Sequence, residues 1–360
     1  MKTTFTQGLG RRLATVLLAS LLAIACSAGR SGPATAGDYW PAETWRTSKP
    51  EKQGLDSKIL DRIGEYVQKD FPGTSSVLLV RNGYVVFEKY YQATKDELRA
   101  TYSMTKSVIS ALTGIAIEKG LIESEASKVY GYLPDSIRSG MNDDARKITI
   151  QHLLTMASGF ESNGGTGTME PVLLKMYFER GLNSAPGEGF GYNGNNPNLL
   201  SIIITEKSGM RASEFAQKHL FDPIGIQQAK WDEGVQYTMG AYGLRLSTMD
   251  MAKLGYLYLR KGKWKGIQVL SEQWVAKSTR KQTPIPTEFQ TPGINDAYGY
   301  LWWTMSYGEH SAFSAIGYDG QRICVIPDYD LVIVFTGASG GFDVEHLPII
   351  RDCILKAIKS

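Results

Sequence analysis

The sequence predicts an α+β protein: an antiparallel β-sheet built from both chain ends and flanked by helices, with an inserted, mostly helical lobe. Three observations carry this. "SSVLLVRNGYVVFEKYY" (75–91) places two β-rich runs around Asn82-Gly83, a strong hairpin signal because both turn residues tolerate positive φ. "RICVIPDYDLVIVFTG" (322–337) repeats the pattern around Pro327-Asp328 near the other end. Between them, helical spacing or caps recur at 103–119, 149–156, 198–207, 211–221 and 247–261. Strands at both ends with helices between are met most economically by one sheet carrying an inserted lobe. A cleft between the two is the natural ligand site.

Taken in order, residues 1–25 read as a signal peptide. Lys2, Arg11 and Arg12 precede the apolar run "LATVLLASLLAIA", which is short for a bilayer span and ends in the small-x-small pattern Ala23-Ile24-Ala25. Cys26 follows at once. "LAIAC" resembles a bacterial lipobox, with Ala23 where Leu is usual. The alternatives are a lipidated Cys26 tethering the protein to a membrane, a plain cleaved signal releasing it to the periplasm, and an uncleaved anchor. Residues 26–50 are small, polar and Pro-containing, and read as a tether. The folded domain then spans 51–360, with a sheet lobe at about 51–100 and 295–360 and a helical lobe at about 101–294.

Within it, Ser247 and Asp250 form a capping-box pattern and Gly262 a helix stop, so 247–261 is bracketed at both ends. "YGYLWWTMSY" (298–307) reads as one more strand and "HLPIIRDCILKAIK" (346–359) as a closing helix. Gly-, Asn- and Pro-rich stretches at 162–168, 183–198 and 283–296 are loops. The first of these is either a lid or a plain mobile loop.

Composition excludes several functions. The chain has 360 residues, 42% hydrophobic and 21% charged, enough for a large core. Its formal net charge of +3 is carried by Lys2, Arg11 and Arg12, so the remainder is balanced and offers no basic patch for nucleic acid. His152, His219, His310 and His346 are far apart and form no ligand pair, so no metal site is expected. Beyond Cys26, Cys324 and Cys353 either pair with each other or remain buried thiols.

The chemistry concentrates at "YSMTKSVISALTGIAIEKG" (102–120). Apolar Met104, Val108, Ile109, Leu112, Ile115 and Ala116 form a buried stripe ending at Gly120. Ser103 sits in the first turn, where free backbone N–H groups and the positive end of the helix favour negative charge. Lys106 is one turn on, on the same face. A desolvated, neutral lysine there can take the serine proton and activate a nucleophile that is weak by itself. The spacing alone is met equally by an N-cap serine and a solvated lysine, and Ser278 and Lys281 repeat it in "STRK".

The context separates the two copies. From about residue 70 onward the chain resembles the serine β-lactamase-related hydrolases: class C β-lactamases, D-alanyl-D-alanine carboxypeptidases, esterases and 6-aminohexanoate-dimer hydrolases. The resemblance rests on "YSMTKSVISALTGIAIEKGLI", "ITIQHLLTMASGF" (148–160), "PGEGFGYNGNNPNLLSIIITEKSG" (186–209), "FDPIGIQQAKW" (221–231), the run 242–275, "YGYLWW" (298–303) and "AIGYDGQRICVIPDYDLVIV" (315–334). It implies Ser103 as nucleophile, Lys106 as its partner and Tyr192 as the phenol that passes a proton to the leaving group. It also implies an oxyanion hole from the backbone N–H groups of Ser103 and Tyr318, with Gly317 allowing close approach. No metal or organic cofactor is implied, and the partner is a small ester or amide.

Two departures narrow the expectation. Gly194 stands where the family's tyrosine motif often ends in Asn. Ala315-Ile316-Gly317 replaces the Lys/His-Thr-Gly whose cation reads a substrate carboxylate. The chain therefore looks nearer the esterase and aminohexanoate-oligomer hydrolases than the penicillin-recognising carboxypeptidases and β-lactamases. A non-catalytic ligand-binding member is the remaining alternative. Trp302 and Trp303 are candidates for a pocket wall.

Overall fold

The computed structural model describes residues 40–41, 45–338 and 346–359. The expected signal peptide, Cys26 and most of the 26–50 tether lie outside the described residues.

Apolar residues run almost unbroken along the inner strands of the terminal hairpins and are buried on both faces. The strands are β1 (Thr74–Arg81), β2 (Tyr84–Tyr90), β3 (Thr283–Pro284), β4 (Ala297–Tyr298), β5 (Trp303–Tyr307), β6 (His310–Gly317), β7 (Gln321–Ile326) and β8 (Leu331–Gly337). They form one eight-stranded sheet in the order β2-β1-β8-β7-β6-β5-β4-β3. Every neighbouring pair is antiparallel. The N-terminal hairpin thus inserts beside the C-terminal strand, and the sheet closes only when both ends of the chain meet. Asn82 and Gly83 both take positive φ, 51° and 81°, as the turn signal requires.

One face carries Val77, Leu79, Cys324, Ile333 and Phe335, packed against Leu60, Ile63 and Val67 from the N-terminal helices and Ile349, Ile350 and Ile354 from the C-terminus. The other carries Leu78, Val80, Ile323, Val325, Val332 and Val334, which join the core of the helical lobe. Burial on both faces explains why these strands read as near-continuous apolar runs. Helix α1 (Thr105–Glu118) is buried over most of its length, and α2 (Asn195–Ser208) packs beside it. Helix α3 (Thr248–Leu259) lies on β7 and β8, with Ser247 Oγ accepting from Asp250 N as the cap predicts.

Three expectations are corrected, and the cysteine alternatives are decided. The sheet reaches back to Thr283–Pro284, and α3 packs on it, so the lobe boundary near 295 does not hold. The expected strand 298–307 is broken: buried Leu301 takes φ +59° between β4 and β5, its N–H donating to Leu154 O at 2.8 Å. The closing helix is one α turn (Leu347–Ile349) running into a wider π-type turn (Ile350–Leu355). Cys324 and Cys353 are both buried free thiols, and no disulfide joins them. Among the described residues no helix is long and apolar enough to cross a membrane.

Candidate active site

The mouth of α1 and the end of β6 meet at one point. Tyr102 takes φ +46°, a sparsely populated conformation for a residue with a side chain, and starts the short turn that holds Ser103. Thr101 pins that turn from below. Its N–H and its hydroxyl both donate to Leu244 O, at 2.8 and 2.9 Å. Gly317 abuts the same backbone: a Cβ there would stand 2.3 Å from Thr101 O and 3.3 Å from Ser103 N. Only a glycine lets the strand come this near. Tyr318 follows directly, and its ring meets that of Tyr102 edge-on at 5.5 Å. Asp319 also has positive φ (63°), and its carboxylate accepts from the Tyr102 hydroxyl. Two strained residues flanking Ser103 and Tyr318 are thus tied to each other.

Lys106 is 1% exposed and has no carboxylate partner among the described residues. Its Nζ lies 2.8 Å from Ser103 Oγ, 2.8 Å from Ala241 O and 3.3 Å from Gly165 O. Burial lowers its pKa from 10.5 to about 7. A neutral amine has two N–H groups and one lone pair. The two carbonyls can accept the N–H groups, which leaves the lone pair for the Ser103 hydroxyl. The Tyr192 ring centre is 5.1 Å from the same nitrogen. Burial raises the Tyr192 phenol to about 12, and the neighbouring Ser103 hydroxyl pulls the other way. The phenol therefore keeps its proton at neutral pH.

The loop 162–168 is part of the site rather than a flap above it. Asn163 and Gly165 donate their N–H groups to Tyr192 O at 3.1 and 3.2 Å, and Gly165 supplies one of the carbonyls on Lys106. This explains Gly194. A Cβ there would stand 2.2 Å from Thr166 O, so the loop backbone fills the space that an Asn side chain would take. Asn198, one helical turn further, accepts from the N–H groups of Gly240 and Ala241 at 2.9 Å each. It thereby fixes the second carbonyl on Lys106.

A cleft of about 420 Å³ opens beside these groups. Ser103, Gly164, Tyr192, Trp303, Gly317 and Tyr318 line it, joined by Glu288, Phe289, Gln290, Thr291, Asn295, Met305 and Ile316. Trp303 fits the expected wall. Trp302 does not: it points to the opposite side, 2% exposed, against Tyr258 (4.5 Å) and Phe313 (5.3 Å). The kink at Leu301 and the alternation of side chains send the two tryptophans apart. The second Ser-x-x-Lys copy is structural. Ser278 donates to Val275 O at 3.1 Å inside its helix, and Lys281 pairs with Asp296 on the surface at 2.6 Å. Sequence reasoning missed the 288–295 wall, the carbonyls of Gly165 and Ala241, and the Tyr102–Asp319 tie. The wall lay in "TPIPTEFQTPGIND", which reads only as a loop, and backbone carbonyls leave no residue signature. Among the described residues no group of three or more His, Cys, Asp or Glu could hold a metal ion.

Comparison with known proteins shows the family and the fold. The chain is 22% identical to 6-aminohexanoate-dimer hydrolase of Paenarthrobacter ureafaciens over 327 residues, covering 82% of this chain and 81% of that protein. Its fold matches a class C β-lactamase with a TM-score of 0.67 at 14% identity, over 86% and 98% of the two chains. It also matches D-amino acid amidase from Ochrobactrum anthropi SV3 with a TM-score of 0.64 at 16% identity, over 84% and 99%. The Beta-lactamase family model matches residues 57–348. The chain therefore belongs to the Beta-lactamase family, whose members are serine hydrolases of amides and esters.

Proposed function

We propose that this protein is an exported hydrolase that cleaves an ester or amide through an acyl-enzyme on Ser103, nearer in substrate to the esterases and aminohexanoate-oligomer hydrolases than to the β-lactamases. One observation carries the reading: a buried Lys106, without a carboxylate partner among the described residues, whose nitrogen lies 2.8 Å from Ser103 Oγ. Lys106 takes the hydroxyl proton as Oγ attacks the carbonyl carbon. The backbone N–H groups of Ser103 and Tyr318 receive the developing oxyanion. Tyr192 gives its proton to the leaving oxygen or nitrogen and is reprotonated through Lys106. Water then attacks the acyl-enzyme by the reverse relay and releases the acid. Substrate choice is supported by the absence of Lys, Arg and His among the described residues that line the cleft. Export is supported by the leader 1–25, and a membrane tether by Cys26.

A nitrophenyl-ester assay run beside labelling with a fluorescent penicillin tests this. Ester turnover abolished by Ser103→Ala, with no stable penicillin adduct, is expected. Turnover that survives Ser103→Ala refutes the mechanism. Stable penicillin labelling without ester turnover favours the penicillin-recognising reading instead. Intact mass of the membrane fraction decides Cys26 lipidation.

A further inference from the structure

The charge of the cleft carries a statement about its substrate. Among the described residues lining it, Glu288 is the one side chain that carries a carboxylate or a cationic group. Its carboxylate has no ion-pair or hydrogen-bond partner among the described residues. The nearby Asp296 is already neutralised by Lys281 at 2.6 Å. Lys106 is buried behind Ser103 and held toward its neutral form by desolvation. The described lining of the cleft therefore carries one carboxylate and no cation.

The walls beside Glu288 are aromatic. Phe289 follows it directly, with its ring centre 6.4 Å from Trp303 and 6.1 Å from Tyr192. Both Phe289 and Trp303 line the cleft with Ser103. Ring faces attract alkylammonium groups and also pack methylene chains, while they offer nothing to a carboxylate. A free carboxylate beside ring faces is a complementary site for a positive chain end. It repels the negative end that penicillins and D-alanyl peptides present.

We propose that Glu288, Phe289 and Trp303 form a subsite for an ammonium-bearing chain, so that the preferred substrates are amino-substituted esters or amides. This rests on the hydrolase reading above. Glu288 is a specificity residue: it selects among substrates and takes no part in bond making.

The test is a matched panel of esters whose chains end in an ammonium, a methyl or a carboxylate. The end group is placed once in the acyl part and once in the alcohol, at several chain lengths. Wild type, Glu288→Gln, Glu288→Lys and Ser103→Ala are compared, with Glu272→Gln as a distant carboxylate control. In wild type, kcat/KM should rank ammonium above methyl above carboxylate in at least one series. Glu288→Gln should reduce the ammonium-to-methyl ratio about fivefold, the scale of a partly exposed ion pair, and added salt should do the same. Glu288→Lys should raise carboxylate above ammonium, and Glu272→Gln should change no ratio. Ratios that stay the same in Glu288→Gln and Glu288→Lys, with turnover still dependent on Ser103, overturn the subsite alone. Turnover independent of Ser103 overturns the hydrolase reading itself.

Discussion

Replacing Lys106 by Met removes the buried amine while keeping most of its volume, and its consequences can be worked out with sign. In the folded protein the lysine pKa is about 7 instead of 10.5 because burial penalises the charge. That displacement corresponds to about 5 kcal/mol. Below pH 7 both folded and unfolded chains carry the proton, and the folded state bears the full penalty. From pH 7 to 10.5 the unfolded chain still binds the proton and the folded one does not. Stability contributed by this group therefore rises by about 1.4 kcal/mol per pH unit across that window. Lys106→Met lacks this dependence but leaves Ala241 O and Gly165 O without their donor, at about 1–3 kcal/mol each. The two terms nearly offset at neutral pH. The variant should accordingly be inactive yet close to wild type in stability at pH 7, and less stable than wild type near pH 10. Urea unfolding of both proteins at a series of pH values isolates the difference, since all other groups cancel. Below that window, wild-type kcat/KM on a neutral ester should rise tenfold per pH unit up to about 7 and then level, because only the neutral amine accepts the Ser103 proton. Tyr192, held near 12 by burial, adds no falling limb below pH 10. A stability difference that stays flat from pH 6 to 10, or a rate profile without a limb near 7, refutes the reasoning.

Two further outcomes follow from the geometry. Gly317→Ala places a methyl 2.3 Å from Thr101 O, so β6 must retreat from Ser103. The expected loss in kcat is on the order of 10²–10³, that of one oxyanion donor, and an Ala variant within twofold of wild type in steady-state kinetics refutes it. Trp302 and Trp303 should separate cleanly. Trp302→Ala should cost about 3–5 kcal/mol of stability by emptying the core, measured by urea unfolding. Trp303→Ala should instead raise KM with a smaller loss, and the reverse pattern would contradict the assignment of the two faces.

Much of this was legible in the residues. The Asn82-Gly83 turn, the β-rich hairpins at each end and the Ser247 cap are local signals, set by φ preference, residue type and nearby donors, and they appear where expected. The stripe behind Ser103 likewise announced a buried helix with two polar residues at its mouth. Local signals failed where tertiary contacts override them. Leu301 is forced to positive φ by its hydrogen bonds to Leu154 and, from the Ser107 hydroxyl, at its own carbonyl, and this splits a strand that its composition makes continuous.

The sequence by itself determined which side chains could do the chemistry: a serine and a lysine one helical turn apart, a tyrosine downstream, and no cation at 315–316. Helical periodicity and residue type suffice for that. Only the tertiary structure decided that Lys106 is buried away from water, because its desolvation and the carbonyls of Gly165 and Ala241 come from segments about 60 and 135 residues away. It also decided which tryptophan faces the cleft, and that Glu288 is the carboxylate in its described lining. Burial and charge balance are sums over neighbours distant in sequence, and no local pattern contains them.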